Sequence, residues 1–362
     1  MRTKALFLIA FCFLLPAKFL FAQNESKLPP PVFGGFVDIY TAINFNEPAS
    51  SDPPSFLYNH TSTNQLAVNL AMYKAKFGTD EFRTNVALMT GTYANRNLSS
   101  EPTFAQFIYE ANIGIKLSKK RATWLDVGVM PSHIGFESAI SKDCPSLTRS
   151  IMAENSPYYE TGLKLSSKSK DEKWTYAFLV LNGWQRIVQV PGNNVPSMGW
   201  QVVYQLNENI SLNSNSFIGN NYPDSLRRMR YFHNFYITWK VNEKISLIAD
   251  MDNGVEQKSK NSSKYNSWFS LCAILRYAFN EKNSVSLRTE YYEDVNHVII
   301  GATNGLPFAV SGASLNFDHS INEYIHFRME GKAYNAKNKL FEQGHHFTNT
   351  LGLFTTSISA YF

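Results

Sequence analysis

The chain contains 362 residues, carries a formal net charge of +5, and is 14% aromatic but only 17% charged. Its Lys and Arg residues are interspersed with carboxylates and form no basic stripe, which argues against a nucleic-acid-binding protein. Beyond residue 22 no segment approaches the roughly twenty consecutive apolar residues that a membrane-spanning helix requires. The composition therefore excludes a helical membrane protein and fits an apolar surface spread over many strands.

The N-terminus has the pattern of a secretory signal peptide. Two basic residues precede an apolar run from Ala5 to Phe21, and the polarity rises after Ala22. Because the run is too short and too interrupted for a membrane anchor, residues 1–22 are predicted to be a cleaved signal peptide. Residues 23–31 are predicted to be a short periplasmic segment, too small for a plug domain, and residues 32–362 to be one barrel domain.

Alternation of apolar and polar residues with a period of two dominates the rest of the sequence, and it predicts β-strands. Between Phe107 and Leu117 every odd-numbered residue is apolar, whereas the even-numbered positions include Glu110 and Lys116. One face of such a strand suits lipid and the other suits water. The segments predicted as strands are Val32–Phe45, Leu66–Phe77, Phe82–Gly91, Phe107–Leu117, Thr123–Met130, Tyr158–Ser166, Trp174–Leu181, Ser197–Gln205, Ile210–Ile218, Arg230–Val241, Ile245–Met251, Asn266–Phe279, Ser284–Tyr292, Phe308–Phe317, Ile325–Tyr334 and Thr348–Phe362.

The connections between these segments alternate between short and long. In four of the short ones an Asn is followed by Glu, a sequence that suits a tight turn facing water. These are the turns at Asn207, Asn242, Asn280 and Asn322. An even number of strands with short turns at one end and long loops at the other is typical of outer-membrane barrels. We therefore predict an all-β fold, a transmembrane antiparallel β-barrel of about 16 strands with short periplasmic turns and long extracellular loops.

The last strand ends on an aromatic residue, with Phe354, Ile358 and Phe362 on one face. This ending resembles the signal that outer-membrane barrels present to their assembly machinery, so Phe362 is predicted to be that signal. The predicted location is the outer membrane of a Gram-negative cell. Aromatic residues near strand ends are predicted to form girdles at the two membrane interfaces. They include Tyr40, Tyr93, Trp124, Trp174, Tyr231, Trp239, Trp268 and Tyr292.

About sixteen strands enclose a lumen too wide for side chains to fill, so a water-filled channel is expected. Charged residues that face the lumen are predicted to line it, because charge in a pore sets ion selectivity. The pore-lining candidates are Arg83, Glu110, Asp126, Arg276, Arg288, Glu290, Arg328 and Glu330. Their signs nearly balance, which indicates neither anion nor cation preference. The alternative is that these charges merely satisfy one another.

No residue pattern indicates an enzyme. His319, Ser320 and Asn322 lie in or beside a predicted turn, where a Ser-His nucleophile would have the wrong exposure. His345 and His346 have no Cys or carboxylate beside them at metal-ligand spacing. We therefore predict no catalytic residues, no metal and no cofactor.

Several short motifs resemble the OmpL-like β-barrel porin family of outer-membrane proteins. They are Phe33–Tyr40, Val127–Met130, Ile134–Glu137, Leu181–Trp184, Arg288–Tyr291 and Arg328–Glu330. The resemblance implies a porin that passes small hydrophilic solutes or ions by passive diffusion, without defined functional residues. A non-conducting barrel with a structural, adhesion or anchoring role is the alternative. The expected partners are outer-membrane lipids, the barrel-assembly machinery and small hydrophilic solutes, and a homo-oligomer is left open.

The longest connection, residues 131–157, lies between the fifth and sixth predicted strands. By analogy with sixteen-stranded porins it would fold into the lumen and present a mixed-charge eyelet, whereas an ordinary solvated outer loop is the alternative. The constriction-loop candidates are Glu137, Lys142, Asp143, Arg149 and Glu154. A disulfide from Cys144 in this loop to Cys272 on a lumen-facing position could tether it, if their Cα atoms came within about 7 Å. We predict instead that both thiols are free.

Overall fold

The computed structural model describes residues 29–50, 53–301 and 304–362, so the predicted signal peptide lies outside the described residues. The strands are β1 (Val32–Asn44), β2 (Ala67–Gly78), β3 (Phe82–Thr90), β4 (Ile108–Lys116), β5 (Trp124–Pro131), β6 (Tyr159–Lys168), β7 (Trp174–Leu181), β8 (Ser197–Asn207), β9 (Ile210–Gly219), β10 (Arg230–Lys240), β11 (Ile245–Gln257), β12 (Tyr265–Ala278), β13 (Asn283–Asp294), β14 (Phe308–Ser320), β15 (Ile325–Ala336), β16 (Phe341–Gln343), β17 (His346–Thr348) and β18 (Thr350–Tyr361). The helices are α1 (Thr92–Asn97) and α2 (Ile151–Glu154), with single 3₁₀ turns at Thr103–Ala105 and Ser141–Asp143.

Sixteen strands, β1 to β15 and β18, form a closed antiparallel barrel. Each strand from β1 to β14 pairs with the next one in the chain, and β18 pairs with both β15 and β1. Closure gives every strand two neighbours, which leaves no row of unpaired backbone groups facing lipid. The predicted fold class and strand number are confirmed.

The structure differs from the predicted elements at a few places. Strand β11 continues past its predicted end at Met251 to Gln257, because it stays paired with β12 as far as Tyr265. The connection between β15 and β18 contains the small hairpin β16–β17, whose three-residue strands are too short for alternation to reveal. None of the described helices is long and apolar enough to cross a membrane.

Side chains alternate between the lumen and the outer surface, as the sequence pattern predicts. In β4, Glu110 and Asn112 are buried in the lumen, whereas Ile113 and Ile115 on the outer face are 58% and 49% exposed. In β18 the outer face carries Ile358, which is 45% exposed. The outer wall is therefore apolar, which suits contact with lipid tails.

Tight turns at one end of the barrel explain the repeated Asn-Glu sequence. Oδ1 of Asn207 accepts hydrogen bonds from the backbone N–H groups of Asn209 (2.9 Å) and Ile210 (3.0 Å). The same pair of bonds, two and three residues further on, is made by Asn242, Asn280 and Asn322. In each case the Asn side chain stabilises the turn, because its Oδ1 accepts hydrogen bonds from two backbone N–H groups of that turn. We call this the turn end of the barrel and the opposite one the loop end.

The substitution Asn207→Ala tests this explanation. We expect it to lower the free energy of unfolding by about 1 kcal/mol, because two backbone amides lose their acceptor but remain accessible to water. Asn209→Ala is the control, since the Asn209 side chain in the same turn makes no hydrogen bond to the described residues. Urea unfolding of the refolded protein, followed by Trp fluorescence, measures both. Equal losses for the two variants would contradict the turn assignment.

The two ends of the described chain meet at the seam between β1 and β18. The backbone N–H of Gly35 donates to the Phe362 carbonyl (2.9 Å), and the N–H of Phe362 donates back to Gly35 (3.2 Å). The Phe362 ring lies directly over Gly35, where an added Cβ would come within 2.3 Å of it. Glycine at position 35 therefore makes room for the terminal ring. That Phe362 is the assembly signal stays a prediction.

The girdle prediction is wrong for several aromatic residues. Each of the following is at most 2% exposed: Tyr40, Tyr93, Trp268 and Tyr292. Trp124 also faces inward, with the guanidinium of Arg83 4.3 Å from its ring centroid. The exposed aromatic residues of the outer face include Trp174, Tyr231 and Trp239. Proximity to a strand end does not separate the two groups, because the parity of the position within the strand decides which face a side chain occupies. Tyr93 is buried for another reason, since it lies in α1 rather than in a strand.

Candidate functional site

The connection between β5 and β6, residues 132–158, folds into the barrel, and we call it the lumen loop. Its backbone and side chains bond to β13, β14 and β15. Counted around the sixteen-stranded wall, β13 lies eight strands from β5, which places it on the opposite side. The lumen loop therefore crosses the lumen from wall to wall.

Arg288 on β13 holds the middle of the lumen loop. Its guanidinium lies 3.0 Å from the carboxylate of Glu330, 3.4 Å from Glu290 and 3.9 Å from Glu137 of the loop. Its Nη1 donates to the carbonyl oxygen of Thr148 (2.7 Å). These four charged side chains, which we call the Arg288 hub, are at most 2% exposed. Buried charges are tolerated only when each is paired, so the hub ties the loop to the wall.

Further bonds hold the backbone of the lumen loop. Oε2 of Glu330 accepts from the N–H (2.6 Å) and the hydroxyl (2.8 Å) of Thr148. Arg328 on β15 donates to the carbonyl oxygens of Ser141 (2.5 Å) and Cys144 (3.1 Å). Since side chains of the wall satisfy these backbone groups, the loop has a defined path through the lumen.

A second loop-end connection packs on the lumen loop through Glu154 of α2. The Glu154 carboxylate accepts from the backbone N–H groups of Tyr58 (3.0 Å) and Asn59 (3.2 Å) and from the Asn59 amide (3.1 Å). Burial raises the pKa of Glu154 from 4.5 to about 7, although the charge of Lys332 and these donors favour the ionised form. The contact between the two loops is therefore sensitive to protonation.

The substitution Glu154→Gln should remove a pH dependence of stability. Because the pKa of Glu154 is raised in the folded state, the native protein holds a proton that the unfolded chain releases. The stability from this proton is complete below about pH 4.5 and is lost as the pH rises through about 7. Relative to Glu154→Gln, the wild type should become less stable over that window in urea unfolding. Parallel stability curves for both proteins would contradict the raised pKa.

The predicted pore-lining residues all lie on inward-facing positions, but most are paired with an opposite charge. Outside the Arg288 hub, the ion pairs are Arg83 with Asp126 at 2.6 Å, Glu110 with Lys74, and Arg328 with Asp318 at 2.6 Å. The side chain of Arg276 on β12 makes no ion pair and no hydrogen bond with the described residues. That these residues govern permeation stays a prediction.

The five predicted constriction-loop residues lie inside the barrel in two different settings. Glu137 belongs to the Arg288 hub, and Glu154 joins two loops. Arg149 turns back into its own loop and donates to the carbonyl oxygens of Ser138 (2.5 Å) and Leu147 (2.7 Å). Only the side chains of Lys142 and Asp143, which are 31% and 52% exposed, face water. The buried three hold the loop, so any eyelet charge from this set comes from Lys142 and Asp143.

Cys144 and Cys272 are both buried and free. The thiol of Cys144 donates to the carbonyl oxygen of Ser138 within the lumen loop (3.4 Å). The tether of the loop is therefore built from ion pairs and hydrogen bonds, and the disulfide alternative is wrong. Among the described residues, no group of three or more His, Cys, Asp or Glu side chains could hold a metal ion.

Apolar side chains fill part of the lumen towards the loop end, a feature that the sequence analysis missed. Trp184 packs against Phe217, Phe232 and Trp268 with ring centroids 4.9 to 6.3 Å apart. We call these four residues the aromatic cluster, and each is at most 8% exposed. The guanidinium of Arg230 lies 5.2 Å from the Trp184 ring. The available signal was that Phe217 and Phe232 occupy inward positions of the alternation.

The turn end of the lumen has a different character. A cavity of about 310 Å³ is lined by the tip of the lumen loop and by charged residues of β12 to β15 and their turns. A second cavity, of about 440 Å³, lies beside the turns that follow β8 and β10. Arg276 lines both cavities. The lumen is therefore polar and roomy at the turn end and packed with aromatic rings towards the loop end.

Solved structures of porins share this architecture. An anion-selective porin from Comamonas acidovorans is 9% identical, with a TM-score of 0.60 over 92% of this chain and 99% of that one. The channel DcaP of Acinetobacter baumannii is 11% identical, with a TM-score of 0.61 over 92% and 97%. A trimer form of OmpT from Vibrio cholerae is 9% identical, with a TM-score of 0.56 over 92% and 99%. At such identities the likeness shows the fold alone.

Sequence comparison places the chain in a family. No curated protein matches it significantly. A family model described as "Putative beta-barrel porin-2, OmpL-like" matches residues 32–362, which is the whole of the barrel domain. The match covers far more than half of the 362 residues and agrees with the closed sixteen-stranded barrel. The chain belongs to the OmpL-like β-barrel porin family.

Proposed function

We propose that this protein is a narrow outer-membrane channel that passes small hydrophilic solutes or ions by passive diffusion. The lumen loop is the observation that carries the proposal. A sixteen-stranded barrel leaves a wide lumen, and a loop anchored on the opposite wall narrows it. Charges that line such a narrowed lumen would act on the solutes that pass. The charged cavities at the turn end suit water and ions. The proposal assigns no chemical reaction to the chain.

The setting follows from the same proposal. The signal peptide at residues 1–22 would direct export, and the aromatic end at Phe362 would engage the barrel-assembly machinery. The turn end would then face the periplasm, with outer-membrane lipids around the apolar wall. Assembly into a homo-oligomer is part of the proposal, and its support is the trimer form of the OmpT neighbour.

A second candidate is a non-conducting barrel with a structural or anchoring role. The aromatic cluster favours it, because four tightly packed rings inside the lumen exclude water from the space they occupy. In that case the Arg288 hub would serve stability alone.

Single-channel recording of the refolded mature protein in a planar bilayer separates the two candidates. We expect stable, stepwise openings, with detergent alone as the blank. Folding is checked independently by heat-modifiable migration on a gel. A barrel that is folded by this test but electrically silent would overturn the channel proposal in favour of the structural role.

A further inference from the structure

We propose that Arg276 is a binding residue for small oxyanions, that is, carboxylates or phosphates, at the turn end of the lumen. The inference deepens the proposed channel function, on which its biological meaning rests, by naming a class of solute. Arg276 lies near the turn end of β12, directly opposite Ser246 of β11 and Ser286 of β13. Its side chain is partly exposed and lines both turn-end cavities.

Arg276 differs from the other arginines on strands of the barrel. Each of those forms an ion pair with a carboxylate, and they are Arg83, Arg230, Arg288 and Arg328. Arg276 has no carboxylate within 4.0 Å and no hydrogen-bond acceptor among the described residues. A guanidinium presents a planar fork of donors that matches carboxylate and phosphate oxygens in pairs. Arg276 therefore offers a guanidinium that has no partner among the described residues and that lines a confined space.

The surrounding charges leave the positive charge of Arg276 uncompensated at short range. In the cavity of about 310 Å³, the carboxylate of Asp318 is bonded to Arg328, and Asp143 lies 3.9 Å from Lys142. Lys282 and Glu281 also line this cavity. In the cavity of about 440 Å³, the lining charges are Lys240, Lys244, Glu208 and Glu243. Charges of both signs therefore line the two cavities, and none of the described carboxylates lies within 4.0 Å of the Arg276 guanidinium.

Arg276 lies close to the tip of the lumen loop, beside the space through which a solute would pass the loop. The hydroxyl of its neighbour Ser286 donates to the carbonyl oxygen of Pro145, at the tip of that loop (2.7 Å). Cys144 and Pro145 form part of the same cavity as Arg276. An anion that passes the loop tip on this side therefore comes within reach of the guanidinium. Confinement between loop and wall strengthens such a contact relative to open water.

Calorimetric titration of the refolded mature protein in detergent, with inorganic phosphate at low ionic strength, tests the site. We expect saturable binding to the wild type and an affinity lower by about tenfold or more in Arg276→Gln, since a bond to a charged group is lost. Arg227→Gln is the matched control, because Arg227 lies in a loop-end connection and carries the same charge. Unchanged phosphate affinity in Arg276→Gln, or an equal loss in Arg227→Gln, would overturn the proposal.

Acetate in place of phosphate shows whether the site accepts both kinds of oxyanion, as we expect, and binding of neither would overturn the inference.

Bilayer recording then tests the anion site and the channel function separately. If the protein conducts, Arg276→Gln should shift the reversal potential in a salt gradient towards cation preference, and Arg227→Gln should not. If the protein is electrically silent but binds phosphate through Arg276, the channel proposal fails and the site stands. If the protein conducts and Arg276→Gln leaves the reversal potential unchanged, Arg276 binds anions without affecting ion selectivity. That result would overturn its role in the choice of solute.

Discussion

Replacing Arg288 with Met should lower the free energy of unfolding by about 3–5 kcal/mol, the cost of removing one partner from a buried charge network. The substitution leaves the carboxylates of Glu137, Glu290 and Glu330 in a site that is at most 2% exposed, without their shared cation. It also removes the donor to the Thr148 carbonyl oxygen. Met has a similar length, so loss of volume contributes little.

Arg83→Met is the matched control for Arg288. Arg83 also pairs with a carboxylate, Asp126 at 2.6 Å, but the side chains of Arg83 and Asp126 are 42% and 9% exposed. Because water reaches the Arg83 side of this pair, Arg83→Met should lower the free energy of unfolding by only about 1–2 kcal/mol. Urea unfolding in lipid vesicles, followed by Trp fluorescence, compares the two variants. If both substitutions cost the same, the Arg288 hub does not carry the stability of the lumen loop.

Replacing residues 139–148 by a short Gly-Ser linker should raise the single-channel conductance several-fold. These residues include the tip of the lumen loop, where Leu147 and Thr148 bond to side chains of β14 and β15. Without them the cross-section of the channel beside the loop tip should be larger. Arg328 keeps its ion pair with Asp318, so the wall itself should still fold.

The control for the linker variant is the same replacement in residues 258–264, which connect β11 and β12 at the loop end. That connection is largely exposed, so its replacement should leave the conductance unchanged. Bilayer recording of both variants, with gel mobility as the folding check, gives the comparison. An unchanged conductance in the first variant would mean that the lumen loop is not the narrowest point. The aromatic cluster would then be the barrier to test, through Trp184→Ala.

The two ends of the lumen differ in their side chains, which suggests that they have different roles in the proposed channel. Towards the loop end, the aromatic cluster excludes water, and Arg230 is fully engaged by Glu256 at 2.6 Å. At the turn end, Arg276 and Lys282 line a cavity of about 310 Å³. Narrowing and discrimination are therefore expected at different depths, with the Arg288 hub between them.

Local patterns in the sequence were sufficient for the wall of the barrel. A strand shows its alternation within its own residues, as between Phe107 and Leu117, so each of the sixteen strands could be predicted independently. The turns are equally local, because the Oδ1 of Asn207 bonds to backbone groups only two and three residues away. The closing strand was recognisable from the alternation that ends at Phe362.

The contents of the lumen depend on contacts between residues that are far apart in the chain. Glu137 meets Arg288, and Glu154 meets Tyr58, only once the wall has closed and brought opposite strands to face each other. Alternation shows that a residue points inward, but not what it meets there. This is why the sequence predicts a girdle position for Trp268, although Trp268 belongs to the aromatic cluster. The strands and turns of the barrel can therefore be predicted from local sequence. The path of the lumen loop, the pairing of its charges and the lack of a partner for the Arg276 side chain among the described residues depend on closure of the barrel.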